Sequence, residues 1–401
     1  MDSDTPQTAL WPTWLGAILL VPLAAGLERL AWYGFRSQLF YRFMAFDLDL
    51  SSAPYSLQGV TIIIGALVGA LLAALIGPQI VAIVGTLGLL VALALVDVMP
   101  VDLLTTSAAV IAGFHGFAAV GHIASLAVLL GRARPMLRYA GFLVFYGTIN
   151  SGALISSTAM QVFGRTGEIM PGVAFALPLG VATLLMAGAA ALWWKAPPLP
   201  APSTPAPMPI VVAGALGMTL ATLLAMSLMV PYNPAFYDVI WTLPEPWPRI
   251  LPSLNPVLVL LVTGVLSLLL LGLSAMRYRL PMMPLAALGL LLLGLATFSG
   301  LIISGPLAVL VVAGVALAEA VAIPFLYARA GTDLPWRAVA LPYALIIAAP
   351  QIVYMIPAGE WLKQIVGGVV LVGLALFVGV GGSLLELKTD GGLRLRPAEA
   401  E

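Results

Sequence analysis

The sequence predicts an all-α membrane protein with twelve transmembrane helices in two six-helix bundles and both termini cytoplasmic. Three observations lead there. Of the 401 residues, 61% are hydrophobic and 8% charged, with a mean hydropathy of +1.08, more apolar surface than a soluble domain of this length can hide. Apolar stretches of about 20 residues, the length that crosses a bilayer, recur along the whole chain. A proline-rich segment divides them into two sets of six, and basic residues gather in the loops of one side.

The first six spans are expected at 13–45, 54–77, 79–98, 103–130, 137–161 and 171–194. The stretch Lys195–Pro209 follows, with proline at nearly every second or third position; it cannot stay helical and reads as a semi-rigid linker. Six more spans are expected at 210–231, 254–275, 281–302, 305–329, 337–357 and 363–386. The domains are therefore an N-terminal bundle over 1–195, a cytoplasmic linker over 196–209, and a C-terminal bundle with a short cytoplasmic tail over 210–401. The acidic start (Asp2, Asp4) lacks a basic n-region and a small-residue cleavage site, so the first apolar stretch reads as a retained span.

Loop charge sets the orientation. Arg132, Arg134, Arg138, Lys195, Arg277, Arg279, Arg329, Arg337, Lys388, Arg394 and Arg396 fall on one side of the predicted spans. Arg42, Arg165, Arg249 and Lys363 fall on the other, together with Asp47, Asp49, Asp97 and Asp102. The positive-inside rule puts the first side, and both termini, in the cytoplasm, which requires an even number of spans. Gly and Ala are abundant inside the spans, as close helix packing in lipid demands.

Charge inside a span is costly, about 2.5–3.5 kcal/mol at the bilayer centre on insertion scales, and usually faces a bundle interior or a water-filled route. The first span holds Glu28, Arg29 and Arg36. Ala25, Glu28, Arg29, Trp32, Tyr33 and Arg36 follow spacings of three and four and form one helical stripe. Glu28 and Arg29 can satisfy each other; Arg36 has no acid one turn away, so its partner is on another helix or on a substrate. A purely structural pair, with Arg36 snorkelling to the interface, is the alternative. Glu319 is the other acidic residue expected deep in a span, five residues before Pro324 and with no basic residue within a turn. Such a carboxyl suits a cationic group such as a substrate amine, or else a hydrogen bond from a neighbouring helix.

His115 and His122 share a face of the fourth span, about 10.5 Å apart along the axis, too far to hold one metal ion between them. Either can act as a proton carrier in a wet cavity or as a neutral hydrogen-bonded side chain. Tyr146, Asn150 and Asn255 are polar groups in or at the ends of spans, suited to bridging helices. The loop Tyr232–Leu251, with Trp241 and Trp247, reads as an interfacial aromatic belt. Absence of cysteine excludes disulfides and thiol chemistry, and zero net charge leaves no basic surface for nucleic acid.

Four patches resemble the proton-coupled oligopeptide transporter (POT/PTR) family of the major facilitator superfamily. The first span reads Glu28-Arg29-Leu-Ala-Trp-Tyr33-Gly34-Phe-Arg36, similar to the family's E-x-x-E-R-F-x-Y-Y-G-x-R from its second Glu onward. The fifth reads Gly141-Phe142-Leu-Val-Phe145-Tyr146-Gly-Thr-Ile149-Asn150-Ser-Gly152, similar to F-S-x-F-Y-x-x-I-N-x-G. Ser253-Leu254-Asn255-Pro256 is similar to S-x-N-P, and Glu319 with Pro324 matches part of G-E-x-x-x-S-P. The resemblance implies a symporter of small peptides with protons, with its substrate site near the midplane between the bundles. It implies that Arg36 receives the peptide carboxylate and Glu319 the amino terminus. Tyr33 and Asn150 then belong to the pocket, and Glu28 and Arg29 to the proton-coupling network, with His122 where the family has a fourth-helix lysine. The chain departs from the family at Ala25, where the signature has its first Glu, in the loop Gly131-Arg-Ala-Arg-Pro135, and in a linker too short for two additional helices.

The expected function is therefore secondary active transport of small peptides or similar zwitterions, with proton coupling and alternating access, and not enzymatic catalysis. The expected partners are the solute, protons and the lipid bilayer, with no nucleic acid and no cofactor. The expected place is a cell membrane, the inner membrane if the source is bacterial. The alternative is a transporter-like subunit without transport that serves as a structural partner in a membrane complex. A third reading, a redox or metal protein built on His115 and His122, would need ligands from other helices.

Overall fold

The computed structural model describes residues 16–45, 52–131, 133, 135–163, 171–195, 208–229, 247–276, 278, 280–299, 302, 307–331, 334–355 and 360–390. The regular elements among them are all helical. A π-helical turn at Gly16–Leu20 leads into α1 (Val21–Ala45), followed by α2 (Ser52–Ile76), α3 (Pro78–Val96), α4 (Leu104–Leu130), α5 (Pro135–Phe163) and α6 (Pro171–Lys195). Then come α7 (Met208–Met229), α8 (Trp247–Ala275), α9 (Met283–Ser299), α10 (Ala308–Gly331), α11 (Ala340–Met355) and α12 (Glu360–Phe377). A second π-turn, Val378–Gly382, carries α12 into the short α13 (Ser383–Asp390). Gly77 alone joins α2 to α3; its φ of 94° is open to glycine at little cost, and Pro78 then starts α3 where no backbone donor is needed.

Nine of the described helical segments are long and apolar enough to cross a membrane, so the chain is a multi-pass, all-helical membrane protein. The other three long helices are shorter or more polar. Met283–Ser299 and Ala340–Val353 are shorter apolar helices, and α5 carries Tyr146, Thr148, Asn150 and Ser151 in its interior. Helix α8 begins at Trp247, ahead of the expected 254, so Trp247–Leu251 is helix and not loop. Two arginines counted with the loop charges, at the ends of their expected spans, are buried. Arg138 lies in the first turn of α5, with Nη2 donating to the Gly131 carbonyl at 3.2 Å, and Arg329 lies in the last turn of α10, 1% exposed. Both helices run past the apolar stretch that marks them in sequence. The linker over 196–207, the loop over 230–246, and Arg132, Arg134, Arg165, Arg277, Arg279, Arg394, Arg396, Asp47 and Asp49 lie outside the described residues.

In the first six helices, α1 packs on α5 and α6, α2 on α4, and α3 on α4 and α6. The same pairs recur six helices later: α7 packs on α11 and α12, α8 on α10, and α9 on α10 and α12. The two sets meet where α2 lies against α11 and α5 against α8. Large aliphatic side chains such as Leu71, Leu75, Leu177 and Leu268 point outward, and alanine dominates the buried positions. This is the distribution expected where lipid is the solvent and helices associate by close packing.

Glycine sets the closest approaches. A Cβ on Gly65 of α2 would lie 2.0 Å from the Gly113 carbonyl oxygen of α4, and one on Gly152 of α5 would lie 2.2 Å from the Gly26 carbonyl oxygen of α1. These approaches bring α4 and α5 onto the helices beside them at the depth of the charged stripe. Gly65→Val is expected to destabilise the fold by about 1–3 kcal/mol or more through overpacking, read as an earlier thermal unfolding in detergent. Gly264→Ala, at a position with nothing within 4 Å of the added carbon, is expected to leave unfolding unchanged or slightly later.

Candidate functional site

The stripe on α1 divides into two edges. Ala25, Glu28 and Trp32 are buried, at 2%, 1% and 3% exposure, against α4. Arg29, Tyr33 and Arg36, offset by one position, are the partly or fully exposed edge. Spacings of three and four thus bury one set of side chains and leave the other more exposed.

His115 closes the buried edge. Its Nδ1 lies 2.6 Å from Glu28 Oε1, its Nε2 lies 2.8 Å from Arg29 Nη1, and the Trp32 ring stacks on the imidazole at 4.3 Å between centroids and 3° between planes. Arg29 Nε is 3.9 Å from Glu28 Oε2. A guanidinium can only donate, so Nε2 accepts and carries no proton. Nδ1 then carries the proton and donates to the Glu28 carboxylate. The trio is a neutral imidazole between a carboxylate and a guanidinium, with net charge zero, which is how a charged pair can sit at this depth.

His122 sits elsewhere. Thr86 Oγ1 donates to the Ala82 carbonyl at 2.8 Å, so His122 Nε2 is the donor in its 3.4 Å contact with Thr86 Oγ1. His122 Nδ1 is buried with no hydrogen-bond partner among the described residues. Of the two histidines, the structure brings His115 to the charged pair. The resemblance had pointed to His122 for the coupling network; which histidine meets the pair depends on how α4 is rotated against α1, and that is not written in α4 alone.

A second polar cluster joins α5, α8 and α10. The Tyr146 hydroxyl donates to Glu319 Oε1, and Asn255 Nδ2 donates to Oε2 at 3.5 Å. Among the described residues no cation lies within ion-pair distance of this carboxyl, which is 8% exposed. Glu319 is thus held by neutral donors, one of them on a helix of the first set. Tyr327 packs edge-on to Tyr146, 6.1 Å between centroids, and Tyr343 donates its hydroxyl to the Tyr327 carbonyl at 2.9 Å. Arg29 and Tyr33 act electrostatically on Tyr327, and Tyr33 also on Tyr146. Asn150 donates to the Tyr146 carbonyl one turn back on its own helix, at 2.9 Å, and among the described residues makes no bridge to another helix.

Glu386 is a third buried acid, one the sequence reading left at the end of the last span. Its Oε1 accepts from the Tyr139 hydroxyl at 2.6 Å and from the Met282 amide at 3.1 Å, and Oε2 accepts from the Met283 amide at 3.1 Å. The carboxyl caps the start of α9 and ties α13 to α5, with Arg329 acting on it electrostatically. Separately, a cavity of about 510 Å³ between α3 and α4, lined chiefly by Val84, Leu87, Val91, Leu95 and Phe114, is apolar and holds none of these clusters.

Two solved structures share this architecture. A POT family transporter in complex with 5-aminolevulinic acid superposes with a TM-score of 0.62 at 18% identity, over 91% of this chain and 96% of that one. A POT family transporter in complex with a thioalcohol-conjugated peptide superposes with a TM-score of 0.57 at 17% identity, over the same shares of the two chains. The fold is that of POT family transporters. It is the fold that the four sequence patches imply. The sequence matches no family profile and no curated protein.

Tyr146→Phe removes the nearer donor to the buried Glu319 carboxyl and is expected to cost about 1–3 kcal/mol, the penalty of an unsatisfied buried polar group. A thermal-unfolding cycle of Tyr146→Phe, Glu319→Leu and the double variant checks it. The cost of Tyr146→Phe should shrink once Glu319 is Leu.

Proposed function

We propose that this protein is a secondary active transporter of small peptides or similar zwitterions, coupled to protons and working by alternating access. The carrying observation is the placing of opposite charge on one helix of each six-helix set. Arg29, Tyr33 and Arg36 line α1, and Glu319 lies on α10 with only neutral donors holding it. A dipeptide presents one charge of each sign; its carboxylate suits Arg36, and its amine suits Glu319. Tyr33 and Asn150 complete the pocket. Binding draws together helices of the two six-helix sets, which is the closure that alternating access needs.

In this reading twelve helices cross the membrane, both termini are cytoplasmic, and the bundles cover 1–195 and 210–401 around a linker at 196–209. The recurrence of helix pairs after six helices supports the division. The POT fold supports transport of this class, since the two similar structures hold 5-aminolevulinic acid and a conjugated peptide. Glu28, Arg29 and His122 form the proposed coupling network, in a cell membrane. The second reading, a transporter-like partner in a membrane complex, draws on Ala25: where the resembling family has a carboxyl, this chain has a buried methyl group.

Uptake of labelled L-alanyl-L-alanine into proteoliposomes under an inward proton gradient tests the proposal. Arg36→Ala and Glu319→Gln are each expected to lower uptake about thirty-fold or more, the equivalent of about 2 kcal/mol for one lost charge partner. Uptake unaffected by either change overturns the site assignment. No uptake, with a stoichiometric membrane partner on purification, favours the second reading.

A further inference from the structure

The Glu28–His115–Arg29 trio has a property that a plain ion pair lacks. Imidazole Nε2 is held only as an acceptor, by a group that cannot stop donating. A proton arriving at Nε2 therefore removes the acceptor from Arg29, while the Nδ1–H bond to Glu28 stays in place. Glu28 keeps an ion pair with the imidazolium, and Trp32, stacked at 4.3 Å, offers its ring face to the new charge. The group that loses its contact is the exposed member of the trio, since the Arg29 side chain is 22% exposed and that of Glu28 is 1%.

We propose that His115 joins the coupling network as its proton carrier, and that its protonation at Nε2 frees Arg29 to bind the carboxylate of the solute beside Arg36. The step is balanced: one N–H bond forms at Nε2, one Arg29–His115 hydrogen bond breaks, and a carboxylate oxygen replaces the lost acceptor. The trio goes from net zero to one positive charge, and the incoming carboxylate returns it to zero. Proton and carboxylate thus bind together in a setting where either alone is costly. The inference rests on the transport reading for the identity of the solute, and gives a coupling role to a residue outside the first-helix signature.

The surroundings allow this role. The helices packed on α4 include α2, α3 and α11, whose sequences hold no charged residue. Helix α5 brings Arg138, Tyr139 and Tyr146, α10 brings Glu319, Tyr327 and Arg329, and α11 brings Tyr343. The groups that act on His115 are Glu28, Arg29 and Arg36, all from α1, and His122 on its own helix interacts with it as well.

The two histidines make this directly observable. Full-length protein with ¹⁵N-labelled histidine, in nanodiscs, gives two imidazole signals, assigned with His122→Gln. The expected result is His115 as the Nδ1–H tautomer at alkaline pH, passing to imidazolium on acidification. In Arg29→Gln the imidazolium share at about pH 6 should be higher. At that pH and constant ionic strength, acetate should raise the proton affinity of His115 about five-fold or more in the parent protein and leave Arg29→Gln unmoved, because the coupling is reciprocal. Chloride at the same concentration should do neither. L-alanyl-L-alanine is run beside acetate. An Nε2–H tautomer, an imidazole unchanged across the pH range, or a signal insensitive to acetate overturns the inference. If the dipeptide binds by thermal shift but neither it nor acetate moves His115, the inference fails and the transport reading stands. If acetate moves His115 and no dipeptide binds, the proton–carboxylate switch stands and the peptide reading fails.

Discussion

The contact between His115 of α4 and the Glu28–Arg29 pair of α1 governs how the first half of this protein is assembled. Lipid offers no hydrogen bonds, so charges carried into it must find their counterparts on protein. Glu28 and Arg29 are adjacent in sequence and lie only 3.9 Å apart at their nearest, a weak solution taken alone. The imidazole completes it by giving the carboxylate a donor at 2.6 Å and the guanidinium an acceptor at 2.8 Å. Both contacts require α4 to sit at one rotation and depth against α1. Glycine makes that fit reachable, because Gly65, Gly113 and Gly116 let α2 and α4 touch backbone to backbone.

The same logic recurs at the other buried acids. Glu319 takes donors from α5 and α8, and Glu386 takes one from α5 and two from the start of α9. In both cases a tyrosine of α5 reaches a carboxyl on a helix of the second set. Buried carboxyls held by neutral hydroxyl and amide donors are separable in a way that buried ion pairs are not, since losing a neutral donor costs less than stranding a charge. In the proposed alternating access, where the halves part and rejoin, such contacts serve better.

How much of this could be read from the sequence depends on whether the signal was local. The membrane helices are written in apolar stretches of about 20 residues and the α1 stripe in spacings of three and four; that the stripe divides into a buried and an exposed edge shows only in the structure. The partners are not local. His115 is 86 residues from Arg29, and Tyr146 is 173 from Glu319, so packing alone brings them together. His115 and His122 differ by two turns on one face, and no property of α4 by itself favours the former. Arg138, Arg329 and Glu386 were hidden for another reason. Each lies at a helix end, where charge reads as the edge of the membrane, yet helix packing buries all three.

The central claim is that the protein holds a zwitterion by both of its charges, carboxylate to the arginines of α1 and amine to Glu319. The most direct test is calorimetric titration of the purified protein in nanodiscs with L-alanyl-L-alanine, its N-acetyl form and its C-terminal amide. The account predicts saturable binding of the free dipeptide and about ten-fold or weaker binding of each blocked form, the loss expected for one charge-assisted contact. Blocked peptides that bind as well as the free one, or no binding by any of the three, would contradict it.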